Sequence, residues 1–501
     1  MKKILQYTKQ SLSILSIILL FFVLFSCTEK GIQKDLESPK YVFLFIGDGM
    51  GLSQVHAAEI LGGALSGEEI GIQKLSFSEF PGTGLMTTFS SNSYITDSAA
   101  SGTAMASGKK TLNGRINIDK ANEVEFKTIA EMAKEKGMKV GIISSVPLNH
   151  ATPASFYSRV TSRSHYYEIA KQMVESGFDF FGGGGIKYPK GRRGLQTNVL
   201  ELAKQEGYKV IQSKDEFLSL GNENIGIKVI ALNEKITPDI AMPYRIDVNG
   251  DDLSLADYVN KSIELLDNDK GFFMMVEGGK IDWAAHDNDA ATLIKEVKDF
   301  DKSVQRAFQF YQQHPQETLI VVTADHECGG MALGSVFSGY SQSLEILNAQ
   351  TTSLEKFSDV HIKPYKATKD ESEWDLNDFM PLIDENFGLK KLSEEEEKKL
   401  HEKANQGDKE AIRELGRVLS VREYRELQRA FLDPNRALFG YTLVKVLNQK
   451  AGISWTSDAH TAVPVPVFST GKRYGIFVGY YDNTDLFKKL SELMGIGSLQ
   501  K

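Results

Sequence analysis

Side chains that could hold metal ions follow four apolar segments of this 501-residue chain. The segments are YVFLFI at 41–46, KVGIIS at 139–144, GFFMMV at 271–276 and TLIVV at 318–322. The carboxylate, imidazole and hydroxyl side chains that come shortly after them are Asp48, His150, Thr152, Glu277, Asp282, His286, Asp325 and His326. Carboxylates combined with imidazoles are typical zinc ligands, whereas oxygen ligands alone favour magnesium.

The spacing of these residues strengthens the interpretation. Asp282 and His286 are separated by one helical turn, which places both side chains on the same helix face. A single Asp or His of this kind is more often a solvated or structural residue than a metal ligand. Their recurrence after four apolar segments indicates one shared metal site.

Ser98 is a candidate nucleophile within the small-residue segment TDSAASGTA at 96–104. Such a segment could begin a helix, whose N-terminal N–H groups and dipole attract a phosphate group. A serine hydroxyl is a weak nucleophile until a base or a metal ion activates it. The alternative is that Ser98 only caps a tightly packed helix, and spacing alone does not choose between the two.

The four apolar segments are predicted to be buried strands that deliver these side chains to one place. Helical patterns lie between them, for example at 127–136 before Gly137. Strands that alternate with helices predict an α/β fold with a largely parallel sheet. Open sheets of this class bind ligands at the carboxyl ends of their strands, where the candidate ligands would meet.

A charged, helical region at about 334–435 differs from the rest of the chain, and we interpret it as an insertion or cap. Ser393 and Glu396 form a predicted capping box, and 420–432 is amphipathic. The segments 465–468 and 476–480 are predicted to be returning strands. The glycine run 182–185 is predicted to be a loop without the Lys-Ser/Thr pattern of a phosphate-binding loop.

The N-terminus resembles that of an exported lipoprotein. Lysines precede an apolar run at 12–25, which is shorter than the roughly 20 residues that span a bilayer. The run ends in LFSC, which resembles a lipobox, so residues 1–26 are predicted to be a signal peptide, Cys27 the lipidated residue and 27–39 a tether. An uncleaved membrane anchor is the alternative. Either way we expect an exported protein held in the cell envelope, in the periplasm or at the outer membrane.

The composition is that of a soluble globular protein, with 41% hydrophobic and 25% charged residues. The formal net charge of −8 gives no electrostatic support for a nucleic-acid partner.

Six segments together resemble the alkaline phosphatase family from Lys40 to about Tyr481. They are FIGDGMG at 45–51, ITDSAASGTAMASGKK at 95–110, HATPASFYSRVTSR at 150–163, EGGKIDWAAHDND at 277–289, TADHECGG at 323–330 and HTAVPVPVF at 460–468. The resemblance implies a three-layer sandwich with a large, mostly parallel central sheet flanked by helices, plus the helical insertion. It also implies hydrolysis of small-molecule phosphate monoesters with two Zn²⁺ and one Mg²⁺ ions.

The resemblance assigns each candidate residue a role. The zinc that activates the nucleophile would be held by Asp48, Asp325 and His326. The other zinc would be held by Asp282, His286 and His460. The magnesium would be held by Asp48, Thr152 and Glu277.

Ser98 matches the family's nucleophile and Arg163 its phosphate clamp, a task suited to the planar donors of a guanidinium. The implied reaction is a pair of in-line displacements through a phosphoseryl intermediate. The sequence departs from the enteric bacterial pattern at His150 and Trp283, which replace an Asp and a Lys near the third metal. Without that lysine we expect weaker binding of product phosphate.

Two other functions are weighed against this one. A phosphodiesterase of the same superfamily would not need Thr152 and Glu277. A non-catalytic lipoprotein that binds metal or surface glycans would not need an intact Ser98 and Arg163. The natural substrate, a homodimeric state and the role of the insertion are left open by the sequence.

Overall fold

The computed structural model describes residues 38–66, 70–248, 250–336 and 338–496. The predicted signal peptide, Cys27 and all but the end of the predicted tether lie outside these ranges and stay predictions. Within the described residues, no helix is both long enough and apolar enough to cross a membrane.

Fourteen strands are described, and ten of them form one central sheet. Their ranges are β1 Tyr41–Ile46, β2 Gly82–Thr87, β3 Lys139–Ser144, β4 Phe180–Gly183, β5 Tyr208–Ile211, β6 Lys228–Leu232, β7 Phe272–Glu277, β8 Thr318–Thr323, β9 Glu327–Cys328, β10 Ala332–Leu333, β11 Ile453–Ser454, β12 His460–Thr461, β13 Val465–Gly471 and β14 Gly479–Asp482. The order in the central sheet is β14-β2-β13-β8-β1-β7-β3-β4-β6-β5. Only β13 pairs antiparallel with its neighbours there, so the predicted fold class is confirmed.

The helices of the described residues surround this sheet and make up much of the region at about 334–435, for which we keep the name insertion. Their ranges are α1 Leu52–Leu65, α2 Ser98–Ser107, α3 Ile129–Glu135, α4 Ala151–Ala154, α5 Tyr166–Glu175, α6 Val199–Gln205, α7 Lys214–Leu218, α8 Leu255–Leu266, α9 Lys280–His286, α10 Ala290–Gln313, α11 Leu354–Phe357, α12 Lys363–Thr368, α13 Met380–Phe387, α14 Glu394–Asn405, α15 Lys409–Arg417, α16 Val421–Leu432, α17 Arg436–Ala451 and α18 Asn483–Met494. Strand β3 contacts α8 as well as α3 and α4, and α8 packs on α10 while α3 packs on α18. Helices therefore cover both faces of the sheet.

The register of the central strands aligns their carboxyl ends. Strand β1 is completely buried because its six apolar residues lie between β7 and β8. Its last residue, Ile46, is paired with Glu277 on one side and with Thr323 on the other. The loops that follow these three strands therefore leave the sheet at the same edge.

Two local predictions differ from the structure. Gly182 and Gly183 belong to β4, so the predicted loop is wrong at these residues; Gly183 has φ +120°, and a Cβ there would lie 1.9 Å from the Ser144 carbonyl oxygen. The strand predicted at 476–480 is a turn of 3₁₀ helix at Tyr474–Phe477 followed by β14. The close approach of neighbouring backbone at β4 explains why glycine occupies this strand.

Candidate active site

Ser98 is the first residue of α2, and its hydroxyl faces the ends of the central strands. The preceding residue, Asp97, caps the helix by accepting a hydrogen bond from the N–H of Ala100 at 3.0 Å. The Ser98 side chain is buried, and its Oγ lies 3.2 Å from Nε2 of His326. The cap is thus Asp97, which leaves the Ser98 hydroxyl directed at the cluster of candidate ligands.

The loops after β1 and β8 bring together the first predicted set of ligands. Nε2 of His326 lies 3.2 Å from Oδ1 of Asp48 and 3.3 Å from Oδ2 of Asp325. All three side chains are at most 1% exposed. Gly49, next to Asp48, lets the Asp282 carboxylate lie close to this loop. Its φ is +70°, and a Cβ at this position would lie only 2.8 Å from that carboxylate.

The second predicted set also converges. His286 and His460 direct their Nε2 atoms to the Asp282 carboxylate, at 3.3 Å and 3.6 Å. The Nδ1 atoms of the two histidines lie 2.6 Å from the carbonyl of Asp458 and 2.8 Å from that of Thr96. A backbone carbonyl at Nδ1 fixes ring orientation and leaves Nε2 free as a ligand, which is the usual support of metal-binding histidines.

The third predicted set surrounds the other side of Asp48. The Thr152 hydroxyl donates to Oδ2 of Asp48 at 3.2 Å. Ligand atoms of Asp48, His150 and Glu277 lie within 4.8 Å of one another. The structure therefore places His150 inside this group, beside the residues that the sequence assigns to the third metal.

Arg163 reaches the same place from the loop after α4. Its Nη1 donates to Oδ2 of Asp97 at 3.0 Å, and its Nη2 donates to Nε2 of His150 at 3.3 Å. Asp97 thereby holds both the helix that carries Ser98 and the guanidinium. The side chain of Trp283 packs near His150, with the ring centroids 5.9 Å apart.

The buried carboxylates repel one another strongly. Burial raises the pKa of Asp48 well above its ordinary value, and the charges of Asp325 and Asp282 add to the effect. Burial and then the charge of Asp282 raise the pKa of Asp325 to about 8. Burial and then the charge of Asp48 also raise the pKa of Glu277. The carboxylates thus outweigh the positive charge that Arg163 supplies, and bound cations would balance the remainder.

The pKa values of two histidines at the site shift in opposite directions, and both shifts are compatible with metal binding. Burial and then the charge of Arg163 lower the pKa of His150 to about 3, so its imidazole is neutral. The hydrogen bond to Asp282 raises the pKa of His286 to about 9. A neutral imidazole is the form that binds a metal ion, and a metal can replace the proton of a paired one.

Unpartnered polar atoms test whether this site fits metal ions. Within the described part of the chain, six buried atoms at the cluster have no hydrogen-bond partner, and they belong to Asp48, His150, Glu277, Asp282, Asp325 and His326. Buried polar atoms are rarely left unpaired, and those that are commonly mark an ion or water. The mixed carboxylate and imidazole donors fit two zinc ions, and the hydroxyl and carboxylates around Asp48 fit a third cation.

Sequence reasoning missed two supporting residues. Asp97 positions Ser98 and Arg163 as described above. Glu327 accepts hydrogen bonds from Gln54, from the N–H groups of Gly330 and Met331 and from Thr461. The adjacency of Glu327 to His326 was the available signal. The neighbouring Cys328 is buried, and its sulfur lies within 4.8 Å of ligand atoms of Asp282, His286 and His460.

Comparison with known proteins agrees with this geometry. The family model described as alkaline phosphatase matches residues 39–496. The chain belongs to the alkaline phosphatase family. It is accordingly a metal-binding hydrolase of phosphate monoesters.

Relatives match over most of this alkaline phosphatase. Alkaline phosphatase 4 of Bacillus subtilis (strain 168) is 31% identical over 481 residues, which cover 94% of this chain and 92% of the relative. The alkaline phosphatase of Escherichia coli (strain K12) is 32% identical over 335 residues, covering 57% of this chain and 70% of that enzyme.

Solved structures show the same fold. The cold-active alkaline phosphatase of the psychrophile Shewanella sp. superposes with a TM-score of 0.73 at 29% identity, covering 91% of this chain and 99% of that one. The alkaline phosphatase of the Antarctic bacterium TAB5 gives 0.62 at 25% identity, covering 92% and 100%. Two TAB5 variants, with a histidine replaced by glutamate or aspartate, hold magnesium in a site named M3.

Proposed function

We propose that the protein hydrolyses phosphate monoesters by two successive in-line displacements at Ser98. The observation that carries this proposal is the Ser98 hydroxyl, which starts a helix and lies 3.2 Å from His326 within the carboxylate–imidazole cluster. A phosphate placed there meets helix N–H groups, the Arg163 guanidinium and a nucleophilic oxygen.

In the first displacement, Ser98 Oγ loses its proton and attacks phosphorus, while the bond from phosphorus to the alcohol oxygen breaks. The alcohol takes up a proton as it leaves, and a phosphoserine remains. In the second displacement, a water oxygen attacks phosphorus from the side that the alcohol vacated. The Ser98 oxygen then departs with a proton, and inorganic phosphate is released.

The side chains around Ser98 have separate tasks. Arg163 orients two phosphate oxygens, and its ion pair with Asp97 keeps the guanidinium in place. Asp48, Asp325 and His326 are buried, and the low dielectric around them strengthens each electrostatic contact. Two zinc ions, held by Asp48, Asp325 and His326 and by Asp282, His286 and His460, would lower the pKa of the reacting oxygens and neutralise developing charge.

For the third site we propose magnesium, held by oxygen atoms of Asp48, Thr152 and Glu277. The neighbouring His150 adds a nitrogen donor, which zinc accepts more readily than magnesium does. Metal analysis of the purified protein decides between the two: two zinc ions and one magnesium support the proposal, whereas three zinc ions contradict it. In an alanine variant of His150, the magnesium should remain.

We further propose that the chain is exported and lipid-anchored in the cell envelope through Cys27. The support is the sequence LFSC at 24–27 after a short apolar run. Mass spectrometry of the mature N-terminus tests this: an acylated Cys27 is expected, and an unmodified or uncleaved N-terminus contradicts it.

The central test compares phosphomonoesterase activity before and after chelation. The loaded enzyme should hydrolyse p-nitrophenyl phosphate far faster than the bis-ester, and chelation should abolish that activity until zinc and magnesium are returned. Faster turnover of the bis-ester would indicate a phosphodiesterase. No turnover of either ester by the metal-loaded protein would refute the proposal.

A further inference from the structure

A cavity of about 920 Å³ lies beside the candidate active site, between the core and the insertion. We call it the side cavity. Its core wall includes Trp283 and His286, and its insertion wall includes residues of 354–363 together with Pro434. Its volume is in the range of small-molecule sites, and the side chain of His286 joins it to the second set of candidate ligands.

The side cavity holds a buried polar group that has no partner. Tyr244 lines the cavity and is 2% exposed. Within the described residues, no group makes a hydrogen bond with its hydroxyl. The face of its ring is already covered by the Lys280 ammonium at 3.4 Å. The hydroxyl is therefore an unsatisfied buried polar group in a residue of the cavity wall.

Acidic side chains outnumber basic ones among the residues that line the side cavity. Among the described residues that line it there is one lysine, Lys363, against the five acids Asp239, Asp287, Glu355, Asp359 and Asp458. Glu355, Asp239 and Asp359 are paired with Lys280, Lys187 and Lys363.

Two of the five acids, Asp287 and Asp458, flank the second set of ligands. Within the described part of the chain, neither carboxylate has a hydrogen-bond or ion-pair partner, and Asp458 is exposed. The exposed ring of Tyr441 provides an apolar face on the same wall. Carboxylates combined with an aromatic face are the usual recognition elements for an ammonium group.

The side cavity lies on the side of the site toward which the alcohol would leave, opposite Ser98. Ser98 lies beside the first set of ligands, and an in-line displacement places the departing oxygen on the opposite side of phosphorus. The second set, which includes His286, lies on the cavity side. The alcohol part of a bound ester would therefore extend into the cavity.

We propose that the side cavity binds the alcohol portion of phosphate monoesters in which that portion carries an ammonium group. Amino alcohol phosphates are the substrate class with this chemistry. The inference rests on the function proposed above, and it gives the insertion a role as one wall of the substrate site.

The test compares phosphocholine with its uncharged isostere 3,3-dimethylbutyl phosphate. The readout is the selectivity ratio, defined as kcat/KM for phosphocholine divided by kcat/KM for the isostere. The double variant Asp287→Asn, Asp458→Asn removes the two unpaired acids of the wall and should lower this ratio by about 5- to 10-fold, since each carboxylate near the ammonium contributes a modest attraction. Differences in alcohol reactivity cancel because both enzymes use the same two esters.

A matched control removes two charges of the insertion that do not line the cavity. The double variant Glu385→Gln, Glu402→Gln should keep the ratio of the wild type. An unchanged ratio in the Asp287, Asp458 variant, or an equal fall in both variants, would overturn the inference.

The salt dependence of the wild-type selectivity ratio is a second test, and it requires no variant. Raising the salt concentration from about 0.02 M to about 0.5 M should lower the wild-type ratio several-fold, because the wall carboxylates are screened. A ratio that does not respond to salt contradicts the inference even if the double variant does not fold.

The two proposals fail in different ways. If the wild type does not hydrolyse p-nitrophenyl phosphate, the proposed function itself is wrong. If it does so while the ratio responds neither to the variants nor to salt, only the inference about the side cavity is wrong.

Discussion

The strand-end site and the helices of the insertion handle polar groups in opposite ways. In the site, Asp48, Glu277 and Asp325 are fully buried and crowd together without enough positive charge. In helix α14 of the insertion, only Leu400 is buried, and the charged residues face solvent. The Ser393 hydroxyl and the Glu396 carboxylate cap that helix reciprocally, as the sequence predicted.

This difference teaches where the stability of each region comes from. The insertion helices satisfy their polar groups with residues three or four positions away, such as the pair Lys399–Glu395 at 2.6 Å. The site gathers residues from distant parts of the chain and leaves their ligand atoms unpaired. We therefore expect the site, and not the insertion, to depend on bound metal.

The largest effect on activity is expected from removing the Ser98 hydroxyl, a change that does not alter the charge of the site. Ser98→Ala should lower turnover of p-nitrophenyl phosphate by about 10⁴-fold or more, because the nucleophile is lost. Metal content should not change, since no set of ligands includes the hydroxyl. Steady-state kinetics and metal analysis check both points. Ser107→Ala, at the other end of the same helix, is the control, and full activity of Ser98→Ala would refute the assignment.

Removal of metal should destabilise the loops of the site and leave the insertion helices unchanged. Chelation should lower the thermal unfolding midpoint by about 10 °C or more, because bound cations stabilise the native state. Hydrogen exchange should increase in the loops after β1, β7 and β8 and stay unchanged in α14 and α16. Equal increases in both regions would contradict the comparison.

Neutralising one buried carboxylate in the metal-free protein tests whether repulsion among these groups lowers its stability. In chelator, Asp48→Asn should be more stable than the wild type by about 1–3 kcal/mol, because it relieves repulsion among buried carboxylates. With metal present, the order should reverse. A variant that is less stable under both conditions would show that repulsion is not the dominant effect.

A buried carboxylate away from the site gives a pH test. Burial and then the charge of Asp299 raise the pKa of Glu296 to about 8, above its ordinary value of 4.5. The native state therefore keeps a proton that the unfolded chain releases, and the contribution of this group falls as pH rises between these values.

Glu296→Gln should match the wild type near pH 5 and exceed its unfolding free energy by about 1–3 kcal/mol near pH 9. Denaturant unfolding at both pH values measures the difference. Glu402→Gln on exposed α14 is the control, with no pH-dependent change. Parallel pH profiles for wild type and Glu296→Gln would contradict the expectation.

A smaller effect is expected at Trp283, where the family resemblance implies a lost lysine. Trp283→Lys should tighten inhibition by product phosphate several-fold, because it adds positive charge beside His150. Trp283→Phe keeps the site uncharged and should not tighten it. Inhibition constants measured side by side decide the point, and no tightening in the lysine variant discards the idea.

The smallest effect belongs to the insertion. Ser393→Ala should lower the stability of α14 by about 1 kcal/mol through loss of its capping box, with activity unchanged. Hydrogen exchange in residues 394–405 measures this. A marked loss of phosphatase activity would mean that the insertion and the site are coupled more tightly than the contrast implies.

The sequence by itself determined most of the central strands and which residues are candidate ligands. Short apolar runs became β1, β3, β7 and β8 because a strand buried on both faces needs continuous apolar residues. The capping box and the Asp282–His286 spacing were predictable because they are local. The strand at 476–480 was not predicted correctly, since a 3₁₀ turn at Tyr474–Phe477 depends on its neighbours.

Only the tertiary structure decided how these pieces act together. The parallel register of β1, β7 and β8 places Glu277, at the end of β7, and the loops that carry Asp48 and Asp325 at one edge. The links from Asp97 to Arg163 and the side cavity beside His286 join segments that the chain separates widely. Such contacts are set by packing across the whole fold, whereas sequence patterns report mainly on neighbours within a few residues.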